Sequence, residues 1–414
     1  MGIAANPMMD GLLLQVLGTD EGRADPYRYY AQMRETTPLS RTALGPLLIH
    51  GYEDCLAVLR DPRLGRGMNA LSGPLTAYMG GEQAMAGMFF ELSAHNMLLA
   101  DPPDHTRLRQ LVSRSFTPRH MEALRPAIDR MVDELLEAMT GRDEVEFMSE
   151  FALPLPMAVI GELVGVPVED RVGLQPYVRA AATAIEPILS EEEALAALAA
   201  YEYLGNYFDA LLDERRRQPR EDLLSGLAQA REKDDRLSNE EVCSTAILLF
   251  AAGFETTTNL LGNGLLALLR HPDQLTRWRQ QPDLAPTAVD ELLRWDSPVQ
   301  LNMRSALEPA DVRGEPIEVG EEIIVLQGAA NHDPARFDDA ETLDLCRTDN
   351  TPLSFGWGIH HCLGAGLARM EGQIAFNALL ARFGSIELRT DEPQWRHSFT
   401  LRGLLDLPLE LATS

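Results

Sequence analysis

The chain has 414 residues, with 63 acidic side chains against 36 basic ones and a formal charge of −27. That charge repels phosphate backbones and anionic bilayers, so nucleic acid and membrane surfaces are excluded as main partners. A hydrophobic share of 45% with 24% charged residues is globular and not disordered composition, and the length suffices for a sizeable core.

Apolar residues at three- and four-residue intervals predict helices over Pro26–Arg34, Tyr52–Leu59, Asp104–Phe116, Met121–Met139, Leu195–Arg217, Asn239–Leu269, Pro286–Trp295 and Gly366–Phe383. Thr117-Pro118 and Ser238-Asn239-Glu240-Glu241 have the pattern of N-caps, and His271-Pro272 stops the longest helix. Strand signals are few: Leu47–His50, Glu322–Leu326 after a turn at Val319-Gly320, Ile386–Leu388 and Leu407–Leu411. Gly65 to Asn96, with Met68, Met79, Met85, Met88 and Phe89-Phe90, reads either as a long loop that moulds to a ligand or as irregular core. Without repeats or linkers, the expectation is one mainly α domain over residues 1–414 with small β-sheets.

Cys55, Cys243, Cys346 and Cys362 show no CxxC spacing, so neither a disulfide framework nor structural zinc is expected. Met1 to Asp10 lacks the positive region of a secretory signal, and Gly11–Gly18 is too short to span a bilayer. A soluble cytoplasmic protein is expected.

Four segments carry chemistry. In Phe355-Gly356-Trp357-Gly358-Ile359-His360-His361-Cys362-Leu363-Gly364-Ala365-Gly366, two glycines permit a tight turn and a cysteine precedes an amphipathic helix, whose positive end stabilises a thiolate. Gly364 and Gly366 leave room for a flat group against the backbone. Haem ligation, a Cys–His nucleophile and a buried structural cysteine all fit these residues. Ala251-Ala252-Gly253-Phe254-Glu255-Thr256-Thr257-Thr258 is poor helix filling, and a mid-helix acid and hydroxyl are costly unless hydrated or used. Thr256 can bond back to the Ala252 carbonyl and open a groove beside Gly253, although glycine packed on another helix fits equally. Glu291 and Arg294 stand three apart on one helix, a spacing that usually marks a solvated pair. Asp101-Pro102-Pro103-Asp104-His105-Thr106-Arg107-Leu108-Arg109 opens a helix with His105 and Arg109 on one face, suited to a carboxylate or phosphate.

In order and spacing these four segments resemble the cytochrome P-450 superfamily, specifically its soluble bacterial members, over nearly the whole chain from Pro26 to Leu411. The resemblance implies the P-450 fold, a haem b cofactor and Cys362 as the thiolate ligand to its iron. It implies that His105, Arg109, Arg304 and His360 bind the haem propionates, and that Ala252, Gly253, Phe355, Gly356 and Gly364 border the haem. Glu255 and Thr256 match the acid–alcohol pair that relays protons to dioxygen, and Glu291 and Arg294 match a buried structural pair. Gly65 to Asn96 and the segment from the 170s to the 190s fall where relatives cover the substrate. Three departures stand out: Gly366 replaces a usual Pro, His332 a usual Arg, and Asp339 to Leu343 lacks the usual Pro and Phe. Arg347 is the expected third partner of Glu291 and Arg294.

The implied reaction inserts one oxygen atom of O2 into a C–H bond, or epoxidises an alkene, with electrons passed from NAD(P)H through redox partners. Peroxygenases and isomerases of the same family tend to lack the acid–alcohol pair, and a non-catalytic haem carrier has no need of it. Polyketides, macrolides or other secondary metabolites are the expected substrates, with fatty acids and terpenoids open. Glu82, Glu91 and Glu186 are either contacts for a cationic substrate group or solvated carboxylates. A monomer is expected, docking an acidic ferredoxin on Arg107, Arg114 and Arg119, in a stretch from 105 to 120 that contains no acid.

Overall fold

A computed structural model describes residues 5–43, 45–66, 95–114, 116–186, 189–229, 231–232 and 235–413. Met68, Met79, Glu82, Met85, Met88, Phe89, Phe90 and Glu91 of the Met-rich stretch lie outside the described residues. Helices dominate. In chain order, those that matter below are α1 (Pro7–Gly18), α2 (Asp104–Ser113), α3 (Val168–Ala182), α4 (Glu191–Arg217), α5 (Asn239–Arg270), α6 (Ala285–Trp295) and α7 (Ala365–Arg382). All eight expected helices are present, with ends shifted by a few residues. Helix α1, together with Pro154–Val164 and Pro272–Gln280, was not expected, and α3 was expected only from the resemblance, which places lid helices from the 170s to the 190s. Among the described residues no single helix is long and apolar enough to cross a membrane.

The chain resolves into two compact units. One comprises residues 1–64, 127–155 and 256–414, the other residues 65–126 and 156–255, and the division runs through α5 between Glu255 and Thr256.

The first unit is built on a five-stranded sheet whose strands include β1 (Leu39–Arg41), β2 (Leu47–Ile49), β3 (Asn302–Ala306) and β4 (Glu322–Val325). β1 runs antiparallel to β2, β2 parallel to β4, and β4 antiparallel to β3 with Ile323 opposite Arg304 and Glu322 opposite Ser305. Alternation along the strands sends Leu47, Ile49, Ile323 and Val325 into one apolar cluster, and Leu48 and Ile324 into another with Met9, Leu12 and Val16 of α1. β3 was not foreseen because Asn-Met-Arg-Ser-Ala has no β-branched residue; pairing with β4 holds it in the sheet. A second sheet joins Phe383–Leu388, Pro408–Thr413 and Glu144–Glu146.

Among the described residues the second unit is mainly helical, with Arg231–Glu232 and Asp235–Arg236 paired as antiparallel strands. Ser190 caps α4 through a reciprocal box with Glu193. Tyr177 of α3 stacks on Tyr203 of α4 with ring centroids 3.8 Å apart. Buried Arg215 pairs with Asp222 at 2.5 Å and donates to the Gly165 carbonyl at 2.6 Å, fastening the end of α4 to the turn before α3.

Candidate active site

The thiol loop lies in the first unit. A short turn at Leu353–Phe355 leads to Gly356 and Gly358, whose φ angles of 64° and 71° suit glycine. A Cβ at Gly358 would also come within 2.3 Å of the Leu59 carbonyl oxygen, so no larger residue fits. The chain then folds back, and the Cys362 amide donates to the Phe355 carbonyl at 2.9 Å. Cys362 is exposed, just before Gly364, which caps α7. A Cβ placed on Gly364 or Gly366 meets nothing within 4 Å. An accessible sulfur at the positive end of a helix, beside backbone open enough for a flat ring, fits a haem thiolate. It does not fit the alternative of a buried structural cysteine. Arg369, one turn into α7, stacks over Phe355 at 4.5 Å and pairs with Asp290 at 2.6 Å, fixing the floor of the loop.

Behind this loop Glu291 and Arg294 of α6 are completely buried and bidentate, with two contacts of 2.8 Å. Arg294 also donates to the carbonyls of Asn331, Ala340 and Thr342. Glu291 accepts from Arg347 at 3.3 Å, the Asp344 amide at 2.9 Å and Asn350 at 3.1 Å. Arg347 is therefore the third partner expected from sequence. His332 fills the place of the usual Arg by stacking on Tyr27 at 4.3 Å, with Nε2 2.9 Å from the Trp295 carbonyl and Nδ1 3.2 Å from Glu341. Arg304 on β3 is 2% exposed and donates through Nη1 to Asn302 Oδ1 and the Met303 carbonyl. His360 is half-buried in the turn Gly358–His360.

In the second unit, α2 presents His105, buried, and Arg109, half-buried, one turn apart. Burial, and then the charge of Arg109, hold the His105 imidazole below its ordinary range, against the pull of Asp101.

Arg107 differs from expectation. Rather than standing ready for a partner, it is ion-paired with Glu241 at the start of α5. Burial raises the Glu241 carboxyl, but hydrogen bonds from Arg107 and the Ser238 amide, with the Arg107 charge, bring it below its ordinary value. Ser238 is the expected N-cap, accepting from the Glu241 amide at 3.2 Å. Arg114 and Arg119 are exposed, and Glu186 is half-buried.

At the centre of α5, Ala252 is exposed, Gly253 and Thr256 are half-buried and Glu255 is 1% exposed. A Cβ on Gly253 would lie 2.9 Å from Ile160 Cδ1, so close helix packing is part of the reason for this glycine. Glu255 forms an ion pair with Arg179 of α3 at 3.4 Å, and the Arg179 guanidinium lies 6.0 Å from the Phe254 ring centroid. Sequence reasoning missed Arg179. Its one signal is isolation: it is the only basic residue between Arg171 and Arg215.

Comparison with known proteins agrees with this geometry. A family model described as Cytochrome P450 matches residues 192–408. The chain is 40% identical over 398 residues to the polyketide biosynthesis cytochrome P450 PksS of Bacillus subtilis, covering 94% of this chain and 96% of that protein. It is 40% identical over 416 residues to the cytochrome P450 monooxygenase PikC of Streptomyces venezuelae, covering 98% and 95%. The structure of P450BioI in complex with acyl carrier protein ligated to hexadec-9Z-enoic acid superposes with a TM-score of 0.87 at 38% identity, covering 95% of this chain and 99% of that one. The chain belongs to the bacterial cytochrome P-450 monooxygenases, enzymes of mainly helical fold that work with haem b and draw electrons from NAD(P)H through partner proteins.

Proposed function

We propose that this monooxygenase hydroxylates or epoxidises a polyketide or macrolide, with Cys362 as the haem ligand. The observation that carries the ligand assignment is the exposed Cys362 sulfur in its glycine turn before α7. The substrate class is supported by relatives whose names include 6-deoxyerythronolide B hydroxylase, at 38% identity, and mycinamicin IV hydroxylase/epoxidase, also at 38%.

Bound haem supplies the oxygen-inserting chemistry. The chain holds it and manages protons. The cationic or hydrogen-bonding side chains of His105, Arg109, Arg304 and His360 suit carboxylates such as the propionates. Phe355, Gly356 and Gly364 leave low relief beside the thiolate, and Ala252 and Gly253 on α5 are small residues that suit the same flat ring. Glu255 and Thr256 hold and pass protons, the carboxylate as acceptor and Thr256 Oγ1 as both donor and acceptor. Arg114 and Arg119 are the exposed cations on which an acidic ferredoxin docks.

The reduced protein under carbon monoxide should show the red-shifted absorption of thiolate-ligated haem, and Cys362→Ser should abolish it; persistence of that band in the variant overturns the ligand assignment. Thr256→Ala should keep the haem but divert reducing equivalents from product to peroxide. Titrating 6-deoxyerythronolide B, mycinamicin IV and hexadecenoic acid, read by the iron spin-state change, tests the substrate class. A response to the fatty acid alone refutes it.

A further inference from the structure

Helix α5 carries a polar stripe of which the roles assigned above use only Thr256. Thr256, Asn259 and Asn263 lie at i, i+3 and i+7, within one face of a helix otherwise lined by buried leucines. Asn259 is fully buried, and neither its Oδ1 nor its Nδ2 has a hydrogen-bond partner among the described residues. Asn263 is 1% exposed; its Nδ2 donates to the Arg402 carbonyl at 3.1 Å, while its Oδ1 has no partner among the described residues. Both amides abut one piece of backbone, because a Cβ on Gly403 would fall 1.9 Å from Asn259 Oδ1.

That backbone, itself buried, also borders a cleft. Arg402 and Gly403 line an open cleft with Val16, Tyr30, Gln300 and Phe399. Arg402 is held there by Asp296 at 2.6 Å and by Trp395, whose ring centroid lies 3.6 Å from the guanidinium. A buried primary amide with no partner costs on the order of 1–3 kcal/mol for each group left unpaired. Folded proteins commonly meet such a cost with an internal water held by two to four polar atoms. Asn259 Oδ1, Asn259 Nδ2 and Asn263 Oδ1 supply three.

We propose that Asn259 and Asn263 hold a short file of water against the Arg402–Gly403 backbone, and that this file carries protons from the cleft to Thr256. Seven residues of helix separate Thr256 from Asn263, roughly 10 Å, a distance three or four waters span at hydrogen-bond spacing. The amides act as positioning residues: they orient the waters and neither gain nor lose a proton. Each proton passed on by Thr256 Oγ1 is replaced by one shifted along the file from bulk water. The inference rests on the relay role proposed for Thr256.

A high-resolution crystal structure of the haem-loaded protein is the first test. Ordered waters within hydrogen-bond distance of the Asn259 amide, continuing toward Thr256, are expected; a dry Asn259 overturns the proposal. The second test compares Asn259→Leu with Asn259→Asp. Leucine matches asparagine in size, and the melting temperature of each variant checks that it is folded. With the macrolide that gives the largest spin-state change, the leucine variant should at least double the peroxide released per NAD(P)H and alter the solvent deuterium effect. The aspartate variant should restore both. Waters present but both readouts unmoved by Asn259→Leu also overturn the proposal. Thr256→Ala separates the two ideas: if it leaves peroxide release unchanged, the relay reading itself falls. If it raises release while Asn259→Leu is silent, only the water file falls.

Discussion

Replacing Glu322 by Gln should stabilise the protein in a pH-dependent way. Glu322 opens β4 at 3% exposure, and neither of its carboxylate oxygens has a hydrogen-bond partner among the described residues. Its cross-strand neighbour Ser305 is fully buried, and the Ser305 hydroxyl is likewise without a partner among the described residues. The same sheet face carries Ser40, Leu48, Met303 and Ile324, and α1, packed against it, brings Asp10 as its one charged side chain. Arg41 of β1 and Arg304 of β3 alternate onto the opposite face, and burial pushes the Glu322 carboxyl from 4.5 up to about 7.

The sign follows directly. Between 4.5 and 7 the folded state retains a proton that the unfolded chain gives up, so stability falls as pH rises through that window. Below it the penalty vanishes, and above it the penalty is constant. Fully developed it reaches at most about 3 kcal/mol, and solvent screening reduces such figures, so ~1–3 kcal/mol is expected. Unfolding entropy near 2.1 cal/mol/K per residue gives roughly 0.9 kcal/mol per degree for a chain of this size. Glu322→Gln should therefore raise the melting temperature by ~1–3 °C at pH 8 and by much less at pH 5. Calorimetric scans of both proteins at matched rate across that range measure it. A difference that stays constant with pH refutes the argument.

Three further outcomes follow from the same geometry. Glu291→Gln, which leaves Arg294 and Arg347 without their shared carboxylate, should cost ~3–5 kcal/mol, whereas Glu122→Gln on the surface should cost less than ~0.5 kcal/mol; urea midpoints compare the two. Arg179→Met and Glu255→Gln should each lower stability by ~1 kcal/mol, with a double variant less destabilised than the sum, and strict additivity would show that the pair does not interact. Reversing Arg114 and Arg119 to Glu should slow reduction by an acidic ferredoxin most at low salt while substrate titrations stay unchanged, and Arg107→Glu should instead destabilise the protein by repelling Glu241.

How much of this was legible in the sequence depended on where each signal resides. The thiol turn was legible because its glycines answer local backbone demands, the positive φ at Gly356 and Gly358 and the Leu59 carbonyl against the latter. Helix Pro154–Val164 was not, since Pro-Leu-Pro-Met-Ala-Val-Ile-Gly-Glu-Leu-Val is apolar nearly all round and offers no periodicity to read. Helix α3 carries Gly173 and Pro176, both of which read as loop signals. The ion pairs of Arg107 and Arg179 join residues 134 and 76 positions apart in sequence. Nothing local announces either one.

The Glu-x-x-Arg spacing shows the limit most directly, because the chain repeats it. Glu122-Ala-Leu-Arg125 and Glu291-Leu-Leu-Arg294 both stand in helices with an ion pair three residues apart. The first pair is 63% and 41% exposed; the second is 0% and 0%. Helix geometry makes the two equivalent, so spacing cannot distinguish a solvated pair from a structural one. The distinction comes from residues 331–350, which wrap over α6 and supply Arg294 with three carbonyls and Glu291 with an amide, Asn350 and Arg347. A buried carboxylate–guanidinium pair is tolerable only when its remaining lone pairs and protons are met in this way. It follows that the altered Asp339–Leu343 stretch leaves the pair intact, because Ala340 and Thr342 contribute backbone oxygens, which every residue type provides.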